Sequence, residues 1–77
     1  MPATLDGQDQ QKILADAKAV IASEAFHMKR ALDNNKIMDA INHASLMVSE
    51  LRTSLLNPQE YYELCLFFLF LFPHLSH

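Results

Sequence analysis

The sequence predicts an all-α fold, an antiparallel helical hairpin followed by a third helix. Three observations carry this reading. Apolar residues recur at three- and four-residue steps over residues 9–32 and again over residues 37–55. Asn57-Pro58-Gln59-Glu60 is a helix-start signature. The 77 residues include one Gly and three Pro, too few turn formers for a many-stranded β-fold.

Residues 1–8 read as a flexible N-terminus, with Pro2, Asp6 and Gly7 among them. Asp6 or Asp9 is placed to cap the first helix, where a carboxylate suits the positive end of the helix dipole. Helix one is expected from about Asp9 to Leu32. Its stripe is Ile13, Leu14, Ala17, Val20, Ile21, Met28 and Leu32, with Phe26 widening it and charged residues falling mostly between. Asp33-Asn34-Asn35 is a turn, since Asn and Asp tolerate left-handed backbone. Either Asn34 ends helix one or Asn35 starts helix two, and the sequence does not decide.

Helix two is expected from Lys36 to about Leu56. Ile37, Ile41, Ala44, Val48, Leu51 and Leu55 form a seam with alternating steps of four and three. Met38, Leu46 and Met47 lie off it, so a second face is also apolar. A helix apolar on two faces calls for neighbours on both sides. In helix three, Asn57 is placed to cap and Pro58 fills the first position, where its missing N–H costs nothing. Glu60 can reach back as in a capping box. Pro73 should end the helix. Tyr61 and Tyr62 differ by one residue, about 100° around the axis, so one is expected in the core and one at its rim.

The run Leu64–Phe72 holds four Phe, four Leu and Cys65 with no polar position. It is less than half the roughly 20 residues a spanning helix needs, yet it is apolar all round, and so short a chain cannot bury it fully. It therefore offers a weak membrane contact. Met1–Gln10 has neither a basic start nor an apolar stretch, so no secretory signal is expected there. With a single thiol, the cytosol is the expected compartment.

The formal charge of -3 and a pI near 5.7 argue against nucleic acid as a partner. Chemistry is sparse. His27, His43, His74, His77 and Cys65 show no metal-ligand spacing. Asp39 and His43 stand one helical turn apart, which reads as a solvated pair. No Ser has a nucleophile-elbow context and no phosphate loop is present. No enzymatic activity, cofactor or metal is expected. Lys29-Arg30 with Lys36 reads as a solvated helix end, whereas Arg52 is a candidate for a salt bridge to Glu50 or for a partner contact.

The string Phe26-His27-Met28-Lys29-Arg30-Ala31-Leu32-Asp33, then Glu50-Leu51-Arg52-Thr53-Ser54 and Tyr61-Tyr62-Glu63-Leu64, strongly resembles the start of the retromer large-subunit family over about residues 9–64. The resemblance implies the opening of an α-solenoid scaffold for endosome-to-Golgi transport. It would be non-enzymatic, cytoplasmic and peripheral on the endosomal membrane. Implied partners are the arrestin-like retromer subunit, sorting nexins and a late-endosomal small GTPase. The family's Pro-Arg-Leu-Tyr-Leu-Leu segment, associated with holding the arrestin-like subunit, has no counterpart here, and residues 65–77 leave the family pattern. Impaired assembly is the expectation. Phe26, Met28, Arg30, Arg52, Tyr61 and Tyr62 are the candidate partner-interface residues; Leu32 and Leu51 read as core. The alternatives are a small peptide anchored by its Phe/Leu tail, or an alternative-transcript fragment without a function of its own.

Overall fold

The computed structural model describes residues 7–75 as three helices: α1 (Gly7–Asp33), α2 (Ile37–Thr53) and α3 (Pro58–Leu75). Asp6, one of the two proposed caps, lies outside the described residues, and Asp9 sits inside the first turn of α1. α1 is the central element, packing on both α2 and α3. Short connections make α2 antiparallel to α1 and return α3 parallel to it. The core is Leu14, Ala17, Ile21 and Ala25 of α1, Met47 of α2 and Leu64 of α3. Met28, Leu51, Leu56, Phe67, Phe68 and Leu71 pack around it, half-buried.

The first turn is a Schellman motif. Lys36 N–H donates to the Ala31 carbonyl at 2.8 Å and Asn35 N–H to the Leu32 carbonyl at 3.1 Å. Asn35 holds the left-handed conformation this requires, with φ of 59°, which Asn tolerates far better than a β-branched residue. Asn35 thus terminates α1, and Lys36 precedes α2 without a side-chain cap.

Three boundaries or faces differ from expectation. First, α2 stops at Thr53, not near Leu56, and Asn57, the residue before Pro58, keeps it from running on into α3. Ser54 is already extended, and its hydroxyl donates to the Glu50 carbonyl at 2.7 Å, closing the helix end. Second, α3 passes through Pro73 and ends at Leu75. So close to the end, proline forfeits a single backbone bond, and its fixed φ suits a helix. Third, the buried face of α2 is not the expected seam. Of that seam, Leu51 packs against the core as expected and Ala44 is half-buried, but Ile37, Ile41, Val48 and Leu55 are exposed, and Ala40 and Met47 point inward instead. On α1, likewise, Val20 and Leu32 are exposed and Ala25 and Ala31 are buried. The common cause is close approach. Small alanines on both helices bring the backbones together, and the unbranched Met47 fills the remaining gap.

The link between α2 and α3 is fixed by Gln10. This side chain is buried, at 2% exposure. Its Nε2 donates to the Leu55 carbonyl at 3.2 Å, and its Oε1 accepts from Asn57 N–H at 2.6 Å. One amide from the first turns of α1 thereby pairs two backbone groups that neither α2 nor α3 can satisfy.

Candidate interaction surfaces

The six candidate interface residues do not share one surface. Phe26 and Arg30, one turn apart, lie on the exposed outer face of α1, Phe26 at 62% exposure. Met28 points inward and packs against the core. Arg52 is exposed on α2. Tyr61 and Tyr62 are both exposed. The expected division of the tyrosines into core and rim is therefore not what forms: Leu64, one turn on, takes the inward position and is fully buried.

Arg52 lines a shallow groove of about 670 Å³ with Ile41, Ala44, Ser45, Val48, Ser49 and Thr53. The groove follows the apolar seam expected of α2, now turned outward. Besides Arg52, its lining is half aliphatic (Ile41, Ala44, Val48) and half hydroxyl-bearing (Ser45, Ser49, Thr53). Glu50, proposed as a partner for Arg52, instead accepts from the Ser54 hydroxyl, at its carbonyl and at a carboxylate oxygen 3.3 Å away. Among the described residues Arg52 makes no ion pair, so a cation stands beside an uncovered apolar strip.

Lys29 pairs with Asp33 at 3.5 Å along α1, an exposed contact worth only about 0.3–0.5 kcal/mol. The Asp39–His43 pairing does not form either. His43 Nδ1 instead lies 2.5 Å from Glu24 Oε1 across the hairpin. Its ring stacks on His27 with centroids 5.3 Å apart, and His27 meets Phe26 edge-on at 5.7 Å. This polar and aromatic seam links α1 to α2 near the turn. Among the described residues no three His, Cys, Asp or Glu gather as a metal site.

Sequence reasoning missed the Glu24–His43 bond and the Gln10 bridge. The first had no local signal, because its partners are 19 residues apart on different helices. The second had one. Gln10, Leu14, Ala17 and Ile21 follow steps of four, three and four, so a lone polar residue occupies a stripe position and must find partners if buried.

The apolar run is also resolved into faces. Leu64, Phe67, Phe68 and Leu71 turn toward α1, with Lys18 Nζ 5.6 Å from the centre of the Phe67 ring. Leu66, Leu69 and Phe70 turn outward. Leu64, placed in the proposed membrane-contact run, is instead core. Among the described residues, no helix is long and apolar enough to cross a membrane.

Residues 13–77 match the family model described as Vacuolar protein sorting-associated protein 35. Curated relatives agree. The chain is 48% identical over 59 residues to vacuolar protein sorting-associated protein 35 of Dictyostelium discoideum, covering 77% of this chain and 8% of that protein. It is 50% identical over 56 residues to protein 35C of Arabidopsis thaliana (73% and 7%) and 50% identical over 62 residues to protein 35B (79% and 8%). The chain thus spans less than a tenth of the length of these relatives. No solved structure matches it.

Proposed function

Because the chain belongs to the vacuolar protein sorting-associated protein 35 family, we propose that it is a non-enzymatic scaffold segment of retromer, acting in endosome-to-Golgi protein transport on the cytoplasmic face of endosomes. The observation that carries the reading is the family match across residues 13–77 of a three-helix array. Repeat scaffolds are built by stacking such helical pairs, each contacting its neighbours. The uncovered groove beside Arg52 suits that role, for it is an apolar strip with a cation ready for a carboxylate. The arrestin-like subunit, sorting nexins and a late-endosomal small GTPase are the partners of the assembled scaffold.

A graft tests this. Residues 13–64 replace the matching stretch of the Dictyostelium relative in cells lacking that relative, and vacuolar sorting of a secreted hydrolase is scored. The expected result is restored sorting by the graft. A stable graft that leaves the hydrolase missorted overturns the scaffold reading.

A further inference from the structure

The apolar pattern of α3 does not say which of its faces should pack. Leu64, Phe67 and Leu71 step by three and four along the side turned to α1. Tyr62, Leu66 and Leu69 step by four and three along the side turned away. Both are apolar stripes at helical spacing, so periodicity alone selects neither. Charge does not favour the face that packs, because Glu60 precedes Leu64 by one turn and is half-buried. Nor does α2 decide, since among the described residues α3 rests on α1 and scarcely on α2. A polar contact at the root of the helix does distinguish the faces. The Asn57 carbonyl accepts from Tyr61 N–H at 2.8 Å, a bond that opens α3, and Gln10 holds the Asn57 N–H at 2.6 Å. Leu64 follows Asn57 by seven residues. Seven residues are just under two turns, so both lie on one side of the helix to within about 20°. A grip on Asn57 from α1 therefore turns Leu64 toward α1. It also sets the level. Parallel helices rise equally per residue, and the offset of 47 between Gln10 and Asn57, carried on to Leu64, puts it level with Ala17. That is between Leu14 and Ile21, where the core lies.

We propose that Gln10 is the register pin of the fold: its buried amide selects which apolar face of α3 packs on α1, and at what level. The amide suits this task because it is directional. One end donates to the Leu55 carbonyl and the other accepts from Asn57 N–H. A slipped or rotated link leaves at least one of these groups unpaired, and an orphaned polar group is costly. Apolar contacts, by contrast, tolerate sliding and rotation. A lone buried amide among apolar positions fixes register in paired helices by the same logic. The pin is a property of the fold and stands whether or not the graft restores sorting.

Methyl NMR of the full 77-residue chain tests it, with circular dichroism following helix content. In the wild type, the Leu64 methyls should give one set of signals, with contacts to the Leu14–Ile21 stripe. In Gln10→Leu, which keeps the bulk, the Leu66 and Leu69 methyls should gain contacts to that stripe, and Leu64 should lose its exclusive place there. Adding Leu66→Gln and Leu69→Gln to Gln10→Leu makes the outer face polar, so the apolar pattern alone can select. The single set of Leu64 contacts should then return. Both added changes are at exposed positions and replace neither bond of Gln10, so they cannot restore a contribution to stability alone. A Gln10→Leu chain in which Leu64 alone still meets the stripe overturns the proposal, as does a triple variant whose contacts stay mixed. If Gln10→Leu loses its helical signal, the triple variant decides: helices with Leu64 inward support the pin, and continued loss overturns it.

Discussion

Leu64→Ala is expected to lower the stability of the chain by about 2–5 kcal/mol, the range for truncating a fully buried leucine. Among the described residues, Leu64 is the one α3 side chain in the innermost cluster, which it shares with Leu14, Ala17, Ile21, Ala25 and Met47. Phe67, Phe68 and Leu71 pack only around it, so the cavity cannot be refilled without shifting the helix. Small domains start from a net stability near the low end of about 5–15 kcal/mol, and this loss takes a large share. The measurement is urea unfolding followed by circular dichroism at the helical band. Leu55→Ala serves as control, since Leu55 is three-quarters exposed, and surface changes of this kind stay within about 0.5 kcal/mol. Equal midpoints for the two variants would show that α3 does not dock through Leu64.

Gln10→Ala should rank second. Removing the side-chain amide leaves the Leu55 carbonyl and the Asn57 N–H without their partner at a part-buried junction. Orphaning such groups costs about 1–3 kcal/mol. Gln10→Leu keeps the bulk but not the bonds, so it should be nearly as harmful as alanine if pairing, and not volume, is what matters. Amide hydrogen exchange gives the site-specific reading, with Asn57 exchanging markedly faster in both variants. Protection at Asn57 equal to wild type would assign that proton to another acceptor.

The helix count, the antiparallel hairpin, the Asn turn and the start at Pro58 were all legible in the sequence. Each is written locally, in apolar period or in turn chemistry. The orientation of α2 was not. Its regular seam and its Met47 side are both apolar, and periodicity cannot choose between two apolar faces. What chose was the shape of α1, whose Ala17, Ala25 and Ala31 admit a close neighbour. The tail misled in a similar way. Leu64–Phe72 has no polar marker, so nothing in the string separates Leu64, which is core, from Leu69, which faces outward. Of the six interface candidates, Met28 alone turns to the core. The other five are exposed but do not share one surface, because residue type signals an interface candidate while helix phase decides which face carries it.

The Gln10 bridge also orders events in time. The α1–α2 turn closes over a few residues, from Ala31 to Lys36, whereas Gln10 reaches across 45 and 47 residues to Leu55 and Asn57. Contacts between distant residues require a costlier loop closure and form later unless something else closes the loop. Here the hairpin does so, because folding α2 back along α1 delivers Leu55 and Asn57 to the start of α1. The bridge is then a latch made late, after the transition state. Its loss should speed unfolding several-fold and leave the refolding rate nearly unchanged in stopped-flow traces, while an equal slowing of refolding would place the bridge in the nucleus. The chain would thus acquire its third helix on a hairpin already formed, the order in which residues 7–75 would also leave a ribosome.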